Sequence, residues 1–290
     1  MSAVAIDPRT RPGAVALTVR DLARVRGFYE RTLGLRALDS DDAGARLGPA
    51  GGDVLVELVA DPDAPARPPR TTGLFHLAIL VPDRRELARS LRRLLAAGAR
   101  LAGASDHLVS EALYLADPEG NGIEIYSDRP RAGWRRDRGE ILMATLPLDL
   151  EALLAEADGG GPEAPVQTRV GHVHLDVSDL GAAEAFYAGP LGLEVTVRSY
   201  PGALFAAAGG YHHHVGLNTW RAAGAPSPPA GAAGLRAFEL VVPDAGELDR
   251  VEARLRAAGV PAERDARELR AADPSGNAVR LRVDAEPAGT

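Results

Sequence analysis

The sequence predicts an α+β fold assembled from four copies of one βαβββ unit. Two repeats carry that reading. GAVALTVRDLARVRGFYERTLGLRAL, from Gly13, recurs as GHVHLDVSDLGAAEAFYAGPLGLEVT, from Gly171. FHLAILVPDRRELARSLRRLLAAGARL, from Phe75, recurs as AFELVVPDAGELDRVEARLRAAGVPA, from Ala237. A third observation is a shared turn near the end of two copies, ADPEGNGIEI and ADPSGNAVRL, where Asp-Pro and Gly-Asn both mark chain reversals.

Each copy is read in the same order. An alternating apolar stretch gives the first strand, because strand side chains point to opposite faces in turn. An Asp follows (Asp21, Asp83, Asp179 or Asp244). Asp21 and Asp179 fit as helix N-caps, since a carboxylate oxygen there accepts from the first free helix N–H groups. The helix then carries an apolar face, which includes Phe28-Tyr29 and Phe186-Tyr187, expected to pack on the sheet. Leu-Gly-Leu or Ala-Ala-Gly ends it and leads into short strands. The units span about 12–62 (within 1–68), 71–128, 168–222 and 233–284. Residues 129–167 form a connector with one short helix, LDLEALLAEAD, and AAGAPSPPAGAAG from Ala222 is a Pro/Gly/Ala linker. One such unit leaves a face of a curved sheet bare, so the units must pair.

Composition sets outer limits. Apolar residues make up 46% and charged residues 25% of the 290, ordinary for a globular chain. There is no Cys, which excludes thiolate metal sites and Cys nucleophiles. A net charge of −7 argues against binding nucleic acid through its phosphates. MSAVAIDPRTRPG has no apolar core of a signal peptide, and no run of about 18 apolar residues occurs, so neither secretion nor a membrane span is expected and a cytoplasmic setting is. Homo-oligomer formation is left open.

The repeat resembles the vicinal oxygen chelate superfamily, the glyoxalase/bleomycin-resistance fold that includes extradiol ring-cleaving dioxygenases, and the resemblance covers nearly the whole chain. It implies paired units forming cupped-sheet barrels around a divalent metal, with ligands from the first and last strands. The first-strand position, seven residues before each Asp, reads Ala14, His76, His172 and Ala237. The last-strand position reads Glu57, Glu124, Gly216 and Arg280. Only units 2 and 3 together supply two histidines and a carboxylate, the set of a facial triad that leaves coordination positions open. The expectation is therefore a barrel of units 2 and 3 with metal ligands His76, His172 and Glu124, beside a metal-free barrel of units 1 and 4. A lone strand His is more often a core residue than a ligand, but these two share one repeat position.

SDHLVSEALYLADPEGNGIE resembles the signature of extradiol dioxygenases of the catechol 2,3-dioxygenase group: His107, Leu113, Tyr114, Asp117, Pro118, Gly120 and Glu124 fit in order, while Ser105 departs. The resemblance implies Fe(II), with Mn(II) as the alternative, a catechol or hydroquinone-type substrate and O2. His107 is the expected acid–base, since imidazole takes and returns a proton near neutrality, and Tyr114 would hydrogen-bond a substrate oxygen. A solvated loop His and a core Tyr are the plainer readings. A glyoxalase-like lyase or isomerase and a non-catalytic binder of aromatic drugs are the competing functions.

GYHHHVGLNTW, from Gly210, maps to the last strand of unit 3. Three consecutive strand residues cannot bind one metal. Alternation predicts that His214 and His212 face the cavity with Gly216 and contact substrate, while His213 and Tyr211 are structural. Trp134, in RPRAGWRRDRG, is expected in a solvated connector.

Overall fold

The computed structural model describes residues 5–284. Unit 1 comprises β1 (Arg11–Val19), α1 (Leu22–Leu33), β2 (Arg36–Asp41), β3 (Gly44–Gly48) and β4 (Val56–Ala60). Unit 2 comprises β5 (Gly73–Leu80), α2 (Arg84–Ala96), β6 (Gly103–Asp106), β7 (Ser110–Ala116) and β8 (Gly122–Asp128). The connector holds a 3-10 turn (Arg131–Gly133), β9 (Arg136–Asp137), β10 (Glu140–Ile141), β11 (Leu146–Pro147) and α3 (Leu150–Ala155). Unit 3 comprises β12 (Arg169–Asp176), α4 (Leu180–Tyr187), β13 (Glu194–Val197), β14 (Ala203–Ala207) and β15 (Val215–Asn218). Unit 4 comprises β16 (Gly234–Val242), α5 (Ala245–Ala257), β17 (Ala262–Arg264), β18 (Glu268–Ala272) and β19 (Ala278–Val283).

The helices begin where the sequence places them. Asp21, Asp83, Asp179 and Asp244 each accept a backbone N–H three residues on, from Arg24, Glu86, Ala182 and Glu247. In both Asp-Pro turns the Asp carboxylate accepts from backbone and side chain of the following Asn, Asp117 with Asn121 and Asp273 with Asn277. Tyr187, fully buried at the end of α4, donates its hydroxyl to Asp273 at 3.0 Å, so the helix of unit 3 is tied to the turn of unit 4.

Pairing across the chain follows the expectation. One sheet runs β17-β18-β19-β16-β1-β4-β3-β2 and joins units 1 and 4 through the antiparallel β1–β16 seam. The other runs β11-β6-β7-β8-β5-β12-β15-β14-β13 and joins units 2 and 3 through the antiparallel β5–β12 seam. Alternate residues of the four seam strands, among them Leu17, Leu77, Leu175 and Leu240, enter one continuous apolar core. Their neighbours face the concave side of each sheet. The connector does more than link, because β11 pairs with β6 and extends the second sheet. No helix among the described residues is long and apolar enough to cross a membrane.

The cup of units 1 and 4 is closed by charge. Arg280 on β19 reaches Glu57 on β4 at 2.7 Å and Glu239 on β16 at 3.1 Å. Glu239 also accepts the backbone N–H of Ala14 at 3.1 Å. A guanidinium fixed between two carboxylates thus fills the place that the equivalent strands of units 2 and 3 give to imidazoles and a carboxylate.

Removing that guanidinium should leave the two facing carboxylates with only the longer contacts to Arg46, 3.5 Å from Glu57, and Arg282, 3.6 Å from Glu239. Arg280→Met is expected to lower unfolding free energy by roughly 3 kcal/mol, toward the lower end for broken buried pairs because the groups keep some solvent contact. Glu57→Leu and Glu239→Leu added to Arg280→Met should restore most of it. Urea titration of the single and triple variants measures both, and an unchanged midpoint in Arg280→Met would refute the clamp.

Candidate metal centre

Seam register assembles the centre. His76 on β5 lies opposite His174 of β12, and His172 lies opposite Ala78. Ala78 is also level with Glu124 on the neighbouring β8. The small Ala78 methyl therefore sits among three larger cup-facing side chains, which can converge above it. A β-bulge between Val170 and His172 re-aims His172. Gly171 forms the bulge, and any Cβ there would collide with the Tyr126 hydroxyl.

The convergence is tight. His76 Nε2 lies 2.9 Å and His172 Nε2 3.2 Å from the same Glu124 oxygen, and the two Nε2 atoms are 3.3 Å apart. All three residues are buried. Burial pulls His172 down to about 4, against the pull of Glu124, so its imidazole is neutral. Burial also raises Glu124, but His172 and His76 outweigh it and hold the carboxyl well below the usual range. The neutral His172 imidazole and the ionised Glu124 carboxylate are in the protonation states a divalent cation needs. One carboxylate oxygen and two imidazole nitrogens meeting at a point fit a metal ion.

A cavity of about 260 Å³ opens over these atoms. Phe75, Phe205, Trp220 and Met143 give it apolar walls, and Thr145 and Tyr200 close one side through a 2.6 Å hydroxyl–hydroxyl hydrogen bond. His107 enters from the turn between β6 and β7, where Leu108 adopts a left-handed φ of 70°. Its Nδ1 lies 2.7 Å from the carbonyl of Ala144 in the connector. A carbonyl only accepts, so Nδ1 carries the proton and Nε2 accepts the Tyr114 hydroxyl at 2.6 Å. Burial, then the Glu124 charge, lift Tyr114 well above the ordinary phenol range, so the hydroxyl stays a donor. The structure thus brings His76, His172, Glu124, His107 and Tyr114 together at one cavity.

The consecutive histidines fall differently from the expectation. His213 lines the cavity, its ring centroid 4.0 Å from that of His172. His212 and His214 do not line it. His212 turns to Asp128 of β8, and His214 stacks on Tyr211 in a separate pocket with Arg131 and Arg169. The reason is local: β15 begins only at Val215, so strand alternation does not govern 211–214. Gly216 does leave space, but His174 takes it, for a Cβ on Gly216 would lie 2.9 Å from the His174 ring. His174, two residues past His172 and on the same face, also lines the cavity; its i, i+2 spacing was the signal that marks it. Trp134 packs edge-on against Tyr211 and His212 rather than at the cavity, and the cavity tryptophan is Trp220.

Comparison with known proteins agrees with this architecture. The family model described as Glyoxalase/Bleomycin resistance protein/Dioxygenase superfamily matches residues 11–125 and 169–281. The catechol-2,3-dioxygenase of Bacillus subtilis (strain 168) is 47% identical over 270 residues, which cover 91% of this chain and 94% of that protein. Among solved structures, a proposed dioxygenase from Bacillus subtilis subsp. subtilis str. 168 superposes with a TM-score of 0.64 at 14% identity, covering 98% of this chain and 86% of that one. Glyoxalase I from Zea mays gives 0.58 at 19%, covering 94% of this chain and 92% of that one. Those two likenesses concern the fold. The family model and the 47% identical relative together show that this chain belongs to the glyoxalase/bleomycin resistance protein/dioxygenase superfamily.

Proposed function

We propose that the chain is an extradiol dioxygenase of the catechol 2,3-dioxygenase type, dependent on Fe(II) with Mn(II) as the alternative ion, that opens a catechol or hydroquinone-type ring with O2 in the cytoplasm. One observation carries the reading. An acid–base pair, His107 and Tyr114, faces the same apolar-walled cavity as a two-His-one-carboxylate set. The 47% identical catechol-2,3-dioxygenase supports it.

His76, His172 and Glu124 would hold the ion, as the sequence pattern suggests. A bound Fe(II) supplies redox chemistry and open positions where a catechol and O2 can meet. The chain's own residues do the rest. Phe75, Phe205, Trp220 and Met143 clamp an aromatic ring and keep water out, in a volume suited to one ring with small substituents. His107, held by the Ala144 carbonyl through Nδ1–H, turns Nε2 to the Tyr114 hydroxyl, through which it can take a proton from the substrate side and return it. Tyr114, protonated throughout, donates to a developing oxygen charge and can pass its hydrogen bond between His107 and substrate. A lyase or a drug-binding protein has no comparable use for the His107–Tyr114 pair.

Three variants separate holding the ion from using it. His76→Ala and His172→Ala should each weaken Fe(II) binding by more than about a hundredfold, since even removing groups that only support ligands costs up to that much. Ring-opened yellow product and O2 uptake should disappear with the metal. His107→Ala should keep the metal while kcat with catechol falls about 10²–10⁴-fold. O2 electrode traces and metal titration read these outcomes. Wild-type protein that holds Fe(II) yet consumes no O2 with any catechol would overturn the reading, as would undiminished turnover in His107→Ala.

A further inference from the structure

A second cavity, of about 390 Å³, lies at the start of β12 and shares no lining residue with the one over the metal ligands. Four arginines line it, Arg9, Arg11, Arg131 and Arg169, and no carboxylate does so among the described residues. The chain as a whole carries −7, so this positive excess is local. Two of the four have counter-charges nearby: Arg9 lies 2.8 Å from Asp7, and Arg11 lies 3.1 Å from Asp284. The other two do not. Arg131 donates to the Gly209 carbonyl and lies over the Trp134 ring, and neither partner is an anion. Arg169, at the exposed first position of β12, makes no ion pair and no side-chain hydrogen bond among the described residues.

A buried ring adds a donor to the same wall. His214 is 9% exposed and stacks on Tyr211, with ring centroids 4.9 Å apart and planes 19° apart. Its Nδ1 accepts the backbone N–H of Ala208 at 3.2 Å. A nitrogen that accepts holds no proton, so the ring proton is on Nε2. That N–H has no hydrogen-bond partner among the described residues, on a ring that lines the pocket. Thr10, buried in the same wall, holds a second unpartnered polar group, its hydroxyl. Unmade hydrogen bonds of buried groups are costly, and a ligand that supplies the acceptor offsets that cost.

We propose that this pocket is a binding site for an organic oxyanion, a carboxylate or a phosphate monoester, held by Arg169, Arg131 and the Nε2–H of His214. Two guanidiniums without counter-charge and one unpaired N–H are all donors, so the ligand they fit is negative and accepts. Guanidinium pairs with carboxylate and phosphate oxygens through strong charge-assisted hydrogen bonds. The same charges repel a metal cation. The volume exceeds that of a bare ion, and the stacked Tyr211 and His214 rings give the pocket a flat wall, so the anionic group is expected on a larger body. The site stands whatever reaction the metal centre runs.

The test is isothermal titration calorimetry of the full-length protein, loaded with Zn(II), against methyl phosphate and against succinate. At least one probe should bind with a Kd at or below about 1 mM, the level that two charge-assisted hydrogen bonds supply. Binding of methyl phosphate alone assigns the site to phosphate monoesters, and binding of succinate alone assigns it to carboxylates. Arg169→Gln, a change at an exposed side chain, should weaken the bound probe at least about tenfold. His214→Phe keeps a flat ring on Tyr211 but removes the donor, and should weaken it by a similar factor; Arg169→Gln decides the matter alone if that variant fails to fold. Arg100→Gln removes the same charge from an exposed position outside the pocket and should change nothing. An affinity that survives Arg169→Gln would put the anion elsewhere, the metal included, and overturn the proposal. An equal loss in Arg100→Gln, or no heat from either probe at about ten times the expected Kd, would overturn it as well.

Discussion

The antiparallel register of β5 on β12 is the constraint from which the centre follows. No single unit holds two imidazoles and a carboxylate. Only this seam sets His76, Ala78 and His172 on one face beside Glu124. A slip of β12 by one residue would send His172 to the opposite face of the sheet, into the apolar core, and leave His76 and Glu124 without it. The bulge at Gly171 and the Ala-sized floor at Ala78 are local devices that let the two imidazoles and the carboxylate meet once the register is right.

Volume and charge are traded across the same two positions in all four units. The first-strand residue two beyond the ligand position lies level with the last-strand position: Ala16 with Glu57, Ala78 with Glu124, His174 with Gly216, and Glu239 with Arg280. Where the last strand brings a glutamate, the first strand brings alanine. Where it brings glycine, the first strand brings an imidazole. In unit 4 both are large and pair as ions. One scaffold thereby makes two cups of opposite character. One presents lone pairs that suit a cation, and the other carries its own cation as Arg280.

The repeat, the Asp caps and the choice of partner units were legible because each depends on spacing within one unit or on residue types at one repeated position. Asp179 caps α4 seven residues after His172 whatever the rest of the chain does. The orientation of 211–214 was not legible. Alternation holds only inside a strand, and the run of histidines lies in the loop ahead of β15, held by Asp128 from another unit. Nor could composition show that Met143, Ala144 and Thr145 of the connector complete the cavity. Ala144 stands 37 positions from His107, on a chain with no periodic pattern between them. Arg280 could be read as the absence of a ligand, but its two carboxylate partners come from separate units, and their meeting is a property of the closed sheet.

Anomalous diffraction at the iron edge, from crystals grown anaerobically with Fe(II), decides whether the seam of units 2 and 3 or the histidine run holds the metal. One strong peak is expected within bonding distance, about 2.0–2.3 Å, of His76 Nε2, His172 Nε2 and a Glu124 oxygen. None is expected between Glu57 and Glu239. A peak bound by His212 or His214, with His76 or His172 turned away, would contradict a seam-held metal.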